Sequence, residues 1–252
     1  MKHLHLTIFL LALVLTACGS SDNKSQTDFD HVTVDKSVAI DNSQEAPQCR
    51  VHLDILQPVN ATNEAGRRIN EQLVKKIFDM EQLSPQAAAD SFANQYTHDY
   101  RSNMAPLYRE DRSDAMKRAW YEYHYTITTE TQEPCDGIIN YLITIDYYEG
   151  GAHGITQLLT MNFDAGTGEL VTLADIFGAD YEGPLCVKLL EALQDKTGCK
   201  DLEALHERGY LYSMDMFVPE NYIVGDDEVT FVYNPYEIAP YSEGRIELKV
   251  KR

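Results

Sequence analysis

A glycine-rich turn around one histidine is the feature of this sequence best suited to chemistry. Gly150, Gly151 and Gly154 surround His153 within the stretch YEGGAHG. Glycines permit a sharp turn between two strands and can expose consecutive N–H groups, which would cradle an anion. His153 could then act as an acid, a base or a metal ligand. The competing interpretation is a wide strand connection in which the imidazole bonds to backbone, and it is favoured because the histidine has no partner at ligand or triad spacing.

Catalysis by His153 would require an acidic partner, and Asp146 and Glu149 lie nearby in the sequence. Such an arrangement would suit an envelope hydrolase that acts on the cell wall. However, the sequence contains no nucleophile elbow, no HExxH zinc motif, no paired CxxC motif and no phosphate-binding glycine loop of the Walker type. We therefore predict that the protein is not an enzyme and has no catalytic residue, metal site or cofactor.

The loop NPYEIAPY, at residues 234–241, is a second candidate contact. Its prolines brace Tyr236, Glu237 and Tyr241, and this combination resembles the rigid, amphipathic surfaces that recognise proteins or sugars. A loop that folds back to cover a sheet edge would have the same composition. The sequence supports both interpretations equally.

Strands that would position these two features are predicted from period-two alternation of apolar residues. The predicted strands cover residues 32–40, 51–55, 120–128, 139–147, 157–163 and 170–173, followed by a tail with strands around 217–224, 229–233 and 246–250. Helical spacing predicts one helix capped by Thr62 or Asn63, one that begins at Ser84 and Pro85, and a later one that ends at Gly198.

This order of elements indicates the α+β class, with antiparallel β-sheets packed with helices. We predict a signal peptide at residues 1–17, a flexible tether at 18–29, an N-terminal α+β subdomain at 30–118 and a C-terminal α+β subdomain at 119–252. The tether assignment depends on its composition, which is rich in Ser, Asp, Asn and Lys and has almost nothing to bury.

The amino-acid composition and the net charge limit the kinds of molecule that this protein could bind. The chain has 252 residues, 44% of them hydrophobic, which is enough for a large core, and its formal net charge is -19. A negative field of this size repels phosphate backbones and attracts basic partners. We therefore exclude nucleic-acid binding, although an acidic surface can also serve solubility alone.

The amino-terminal residues predict a lipid anchor. An apolar run ends in Leu15, Thr16, Ala17 and Cys18, which resembles the bacterial lipobox, where cleavage precedes a cysteine that is then diacylated. We predict lipidation of Cys18 and attachment to a membrane through the acyl chains. No aspartate follows the cysteine directly, which favours the outer membrane of a diderm bacterium, with the domain on its periplasmic or surface-exposed face.

Four further cysteines remain, namely Cys49, Cys135, Cys186 and Cys199. An even number in an oxidising compartment is typical of disulfides. Cys186 and Cys199 stand near opposite ends of a predicted helix, too far apart to be joined unless that helix ends early. We therefore expect a disulfide between Cys49 and Cys135, and the alternative is that all four are buried free thiols.

Three stretches together resemble a known family: YEGGAHG at residues 148–154, TGELVTLADIF at 167–177 and YEIAPYSEG at 236–244. They are similar to the extracellular domain of the lysozyme-sensing anti-sigma factor RsiV, a domain of unassigned function in most members. The accessory region of the peptidoglycan deacetylase PdaC is also similar. The resemblance implies an α+β cell-envelope domain whose best understood relative binds lysozyme as a receptor. Sigma-factor regulation and deacetylation are not implied, because this sequence lacks the segments that perform them.

These observations lead to one hypothesis and two alternatives. The hypothesis is a non-catalytic, lipid-anchored binding module that recognises lysozyme or a peptidoglycan-related ligand. Its candidate contacts are Gly150, Gly151, His153, Gly154, Tyr236, Glu237 and Tyr241. The alternatives are the hydrolase described above and a structural envelope protein without a ligand.

Overall fold

The computed structural model describes residues 28–59, 63–135 and 137–252. It contains two β-sheets that are covered by helices. The strands are β1 Phe29–Ala39, β2 Gln48–Pro58, β3 Tyr123–Cys135, β4 Ile138–Tyr148, β5 Ile155–Asp164, β6 Tyr222–Val224, β7 Glu228–Tyr233 and β8 Ile246–Lys251. The α-helices are α1 Glu64–Phe78, α2 Pro85–Asp111, α3 Leu173–Phe177, α4 Glu182–Thr197 and α5 Leu202–Glu207. The α+β class is confirmed.

The first sheet has five strands in the order β1-β2-β3-β4-β5. Its neighbouring strands are antiparallel, as predicted, except that β2 and β3 are parallel. The exception follows from the connection, because the chain passes through α1 and α2 between these strands, and a parallel pair requires a long crossover of this kind. The sheet therefore begins and ends with antiparallel hairpins on either side of one parallel pair.

Helices α1 and α2 cover one face of this sheet, and local signals fix where they begin. Asn63 caps α1 by accepting a hydrogen bond from the backbone N–H of Gly66, whereas Thr62, the other predicted cap, lies outside the described residues. Ser84 caps α2 in the same way, with Pro85 in the first turn. Their apolar faces bury a core with the odd-numbered residues of β2; its members include Cys49, Val51, Leu53, Ile55, Ile69, Leu73, Val74 and Ala89.

The second sheet has three antiparallel strands in the order β6-β7-β8. Helices α3, α4 and α5 contribute to its core, whose fully buried members include Leu189, Leu193, Leu205, Phe231 and Tyr233. Helix α3 begins at a capping box, in which Thr172 and Asp175 exchange hydrogen bonds. The second sheet thus has its own hydrophobic core.

Buried asparagine side chains join the two sheets. The amide of Asn140 on β4 donates to the carbonyl of Val224 at 2.9 Å and accepts from its N–H at 3.1 Å. Asn234 donates to the carbonyl of Leu158 at 3.0 Å and accepts from its N–H at 2.7 Å. Because Leu158 lies on β5, the outer strand of its sheet, Asn234 satisfies edge groups that would otherwise be unpaired. A small apolar cluster of Leu142, Leu158 and Val232 lies at the same junction.

Several predicted elements differ from the observed ones. The segment 170–173 makes only an isolated bridge between Leu170 and Phe163, because the capping box at Thr172 begins a helix there. Trp120 belongs to a 3₁₀ turn at Arg118–Tyr121, so β3 starts at Tyr123. Phe217 lies outside the short strand β6, which starts at Tyr222.

The predicted subdomain boundary between residues 118 and 119 does not separate two structural units. Strand β2 lies before this boundary and β3 after it, and the two are hydrogen-bonded neighbours in one sheet. The core under α1 and α2 likewise includes β4 and β5 residues such as Ile143 and Phe163. The change of sheet comes after β5.

The predicted disulfide between Cys49 and Cys135 is not formed. Cys49 is a free thiol, fully buried under the helices. It lies opposite Tyr123 at the start of β3, whereas Cys135 is the last residue of that strand. Twelve residues of extended chain, at about 3.3 Å each, keep the two cysteines about 40 Å apart. Cys186 and Cys199 are free as well.

The predicted signal peptide, Cys18 and the tether up to residue 27 lie outside the described residues. Within the part of the chain that the structure describes, no helix is long and apolar enough to cross a membrane. In the same part, no group of three or more His, Cys, Asp or Glu side chains could hold a metal ion.

Candidate functional site

The glycine turn connects β4 to β5 and requires glycine for two different reasons. Gly150 and Gly151 have φ of 83° and 91°, in the left-handed region that side chains disfavour. A Cβ on Gly150 would also lie 2.6 Å from the carbonyl oxygen of Trp120, whereas one on Gly151 would meet open space. The turn therefore packs against the 3₁₀ turn before β3 through Gly150.

Tyrosine hydroxyls donate hydrogen bonds to carbonyl oxygens of this turn. The hydroxyl of Tyr148 donates to the carbonyl of Gly151 at 2.9 Å, and the hydroxyl of Tyr241 donates to that of Gly154 at 3.0 Å. Gly154 lies close to the preceding strand, since a Cβ there would be 2.9 Å from the carbonyl oxygen of Tyr147. These contacts fix the turn from both sides.

The loop at residues 234–241 follows β7 and is held at its start. The side chain of Asn234 is bonded to β5, and its backbone N–H donates to the carboxylate of Glu237 at 3.0 Å. Tyr236 has a φ of 74°, which is unusual for a residue with a large side chain. Glu237 thus stabilises the loop from within, while Tyr236 projects from it.

The two predicted features meet in the structure. The imidazole of His153 stacks on the ring of Tyr241, with centroids 3.9 Å apart and planes 20° apart. Its Nδ1 is 2.9 Å from the carbonyl of Gly154, and its Nε2 is 3.3 Å from the hydroxyl of Tyr236. Because a carbonyl only accepts, Nδ1 carries the proton and Nε2 accepts from the hydroxyl in the neutral imidazole. Both ring nitrogens therefore have partners.

The two tyrosines form an exposed surface that we call the tyrosine shelf, made of Tyr236 and Tyr241 with His153 stacked on Tyr241. The centroids of the two tyrosine rings are 5.5 Å apart, and that of Tyr236 is 6.5 Å from that of His153. With 3.9 Å between His153 and Tyr241, these distances make nearly a right angle at Tyr241. Tyr236 thus lies beside Tyr241. Tyr236 is 58% and Tyr241 37% exposed, so the shelf faces solvent.

Asp146 and Glu149 have other partners. The carboxylate of Asp146 is 2.9 Å from Nε2 of His124 through one oxygen and accepts from the hydroxyl of Thr156 at 2.7 Å through the other. Glu149 accepts from the hydroxyl of Tyr96 at 2.7 Å. Among the described residues, neither carboxylate is therefore bonded to His153.

The burial of Tyr96 and the carboxylate of Glu149 both raise the pKa of this phenol well above its usual range, with burial the larger cause. The phenol therefore stays protonated and keeps donating to Glu149. The hydrogen bond ties α2 to the start of the glycine turn. Glu149 consequently serves to position the turn.

Sequence reasoning missed the role of Tyr148, which supports the turn from the sheet. Its ring also stacks on that of His124, with centroids 6.2 Å apart and planes 25° apart. The two residues are opposite each other on β4 and β3. The alternation of side chains along the two strands could have predicted this contact, because residues directly opposite each other in an antiparallel pair lie on one face of the sheet.

Comparison with known proteins shows that this chain is similar to a family without an assigned function. Residues 174–252 match the family described as "Protein of unknown function (DUF3298)". A member of this family from Bacteroides fragilis has a crystal structure with 28% identity and a TM-score of 0.79, covering 89% of this chain and 90% of that one. A second, from Pseudomonas aeruginosa PAO1, has 17% identity and a TM-score of 0.57, covering 89% and 91%, and shows the fold alone. Among curated proteins, none matches.

Proposed function

We propose that this protein is a non-catalytic binding module of the bacterial cell envelope that contacts its partner through the tyrosine shelf. The observation that carries the proposal is the stacking of His153 on Tyr241, which joins two segments distant in sequence into one exposed surface. Exposed aromatic rings that are held rigidly are typical of recognition surfaces, because they offer a large contact area at a low cost in entropy.

The position of the shelf supports this role for a chain anchored at Cys18. The backbone carbonyl of Asp28, the first described residue, accepts a hydrogen bond from the N–H of Val59 beside the start of β1. The glycine turn lies at the other end of the same sheet, beyond the end of β4. Eleven residues of β4 at about 3.3 Å each span about 36 Å. A lipid at the amino end would therefore attach to the domain at the end of the sheet opposite the shelf.

A basic protein such as lysozyme is the partner class that we propose for the shelf. The net charge of -19 would attract such a protein over a long range and speed its encounter. Arginine and lysine side chains stack favourably on tyrosine rings. The sequence resemblance to a lysozyme-sensing domain points to the same class. A peptidoglycan-derived glycan, whose apolar ring faces could stack on the same tyrosines, is the other outcome that the test must distinguish.

The absence of catalysis is part of the proposal. Both nitrogens of His153 are occupied within the protein, by the carbonyl of Gly154 and the hydroxyl of Tyr236. A general base must be able to reach a proton on its substrate. We therefore assign His153 to the support of the shelf.

The test measures binding of the full-length chain, purified in detergent, to immobilised lysozyme and to soluble peptidoglycan fragments at low and high salt. We expect retention on lysozyme that weakens as salt rises. A Tyr236→Ala, Tyr241→Ala double variant should lose most of the affinity. Leu170→Ala, an exposed apolar residue at the other end of β5, is the matched control and should bind normally.

Each outcome has a distinct meaning. Retention of glycan fragments alone would replace the basic protein with a glycan as the partner. Retention of neither ligand at low salt would overturn the binding function and leave a structural envelope protein. Cell-wall turnover by the purified chain that disappears in His153→Ala would instead restore the hydrolase.

A further inference from the structure

A third chain segment, residues 209–214, lies against the loop that carries the tyrosine shelf. The backbone N–H of Leu211 donates to the carbonyl of Ile238 at 2.7 Å. Gly209 has a φ of 85°, and a Cβ there would lie 3.2 Å from the ring of Pro240. Ile238 and Pro240 are both inside the 234–241 loop. The segment therefore has a fixed position relative to Tyr236 and Tyr241.

Tyr210 holds this segment in place. Its ring is buried, and its hydroxyl donates to the carboxylate of Glu243 at 2.5 Å, two residues beyond Tyr241. The guanidinium of Arg208 lies over the same ring, 5.7 Å from its centroid. A second attachment thus ties the segment to the end of the shelf loop.

Tyr212, by contrast, points into solvent with 79% of its surface exposed. It stands between Leu211 and Ser213, which have φ of 50° and 58°. Two left-handed residues without glycine carry an energetic cost, and such strain persists where the surrounding structure fixes it, often at functional sites. Leu211 is completely buried and holds the segment in place. The strained backbone therefore displays one exposed aromatic ring on a segment that is bonded to the loop carrying the shelf.

We propose that Tyr212 is a further contact residue of the same binding surface and that it meets a cationic side chain of a basic protein. This inference rests on the proposed function. The charge of the surrounding chain favours a cation, because Glu207 and Asp215 flank the segment. Arg208, the nearest basic residue in sequence, is already bonded to the carbonyl of Thr197. A cation placed on Tyr212 would gain from both the ring face and the acidic field.

The experiment measures the affinity of the full-length chain for lysozyme, used as the basic probe, in three single variants. Tyr212→Ala should weaken binding about tenfold, as expected for an interface residue whose truncation costs measurable affinity. Tyr212→Phe keeps the ring and should bind within about twofold of the unaltered chain, since the ring face carries the contact. Leu170→Ala serves as the control distant from the surface. Thermal unfolding midpoints should agree among all four proteins, because Tyr212 contributes little to the core.

The outcomes separate this inference from the function on which it rests. If Tyr212→Ala binds as tightly as the unaltered chain while the Tyr236→Ala, Tyr241→Ala variant does not bind, Tyr212 is not a contact and the shelf remains one. Equal weakening in Tyr212→Ala and Tyr212→Phe would also overturn the proposal, because the ring alone would not account for the contact. Failure of the unaltered chain to bind lysozyme would overturn both.

Discussion

His153 and Tyr241 stack face to face at a centroid separation of 3.9 Å, and the hydroxyl of the same tyrosine is bonded to the carbonyl of Gly154. Gly154 and Tyr241 are 87 residues apart. The stack therefore joins the connection between β4 and β5 to the loop after β7, and it holds together the ends of two different sheets. The geometry of the candidate site depends on this contact more than on either loop alone.

The stack should contribute a measurable coupling energy. We expect a double-mutant cycle with His153→Ala and Tyr241→Ala to give about 0.5–1 kcal/mol of coupling in urea unfolding, at the lower end for aromatic pairs because both rings are partly exposed. The control pair is His153→Ala with Leu170→Ala, which lies far away and should be additive. Additivity of the first pair would contradict the stacked arrangement.

Local signals predicted the elements of the fold well. The caps at Asn63 and Ser84 act within one turn of helix, and the period-two alternation of β2 reports directly which side chains face α1 and α2. The position of β3 beside β2 could not be predicted in this way. Pairing between strands separated by two helices depends on which edge of the sheet is free, and no local sequence pattern indicates this.

The candidate site illustrates the same limit. The glycine turn and the 234–241 loop each stood out by composition, but nothing in the sequence indicates that they touch. Their contact depends on buried asparagines, and asparagine in a sequence is most simply interpreted as a turn residue. The predicted disulfide of Cys49 is wrong for a related reason, since the number of cysteines gives no information on which end of a strand each one occupies.

Asn234 should be required for stability because its side chain pairs both backbone groups of Leu158. Asn234→Ala would leave a buried N–H and a buried carbonyl without partners, at a cost of about 2–4 kcal/mol in the free energy of unfolding. Urea denaturation of the full-length chain measures this loss. The variant should also bind lysozyme less tightly, since Tyr236 follows two residues later.

A matched control is Asn94→Ala, which removes an exposed asparagine that accepts a hydrogen bond from Lys36. Its effect should stay within about 0.5 kcal/mol, as for other surface substitutions. Similar losses in Asn234→Ala and Asn94→Ala would show that the junction between the sheets does not depend on the buried amide.

Gly150 and Gly151 offer a comparison within one turn. Both have positive φ, so alanine at either position should cost about 1 kcal/mol or more through backbone strain. Only Gly150→Ala adds a clash with the carbonyl of Trp120, and we expect it to be less stable than Gly151→Ala by a further 1–3 kcal/mol, an amount typical of overpacking. Thermal unfolding of the two variants side by side gives the difference, and equal midpoints would exclude the contact with Trp120.

The thiol of Cys49 should be unreactive toward thiol reagents in the folded protein. Burial, with a smaller contribution from Glu149, raises the pKa of this thiol to about 12, so almost no thiolate is present near neutral pH. A thiol reagent at pH 8 should modify Cys49 only after unfolding in urea, as measured by mass spectrometry of the peptide that contains it. A reductant should leave the unfolding midpoint unchanged, and a midpoint lowered by reductant would indicate a disulfide after all.

The same thiol predicts a dependence of stability on alkaline pH. Because its pKa is about 12 in the folded protein and 9.0 in the unfolded one, the folded state binds more protons between these values. The resulting stabilisation is fully present below pH 9 and is lost as pH rises toward 12. Tyr121 and Tyr210, whose pKa values burial raises from 10.0 to about 12, act in the same direction. The free-energy difference between the unaltered chain and Cys49→Ala should therefore shrink from pH 8 to pH 11 in urea titrations. A constant difference would mean that Cys49 has the same proton affinity in both states and is not buried as described.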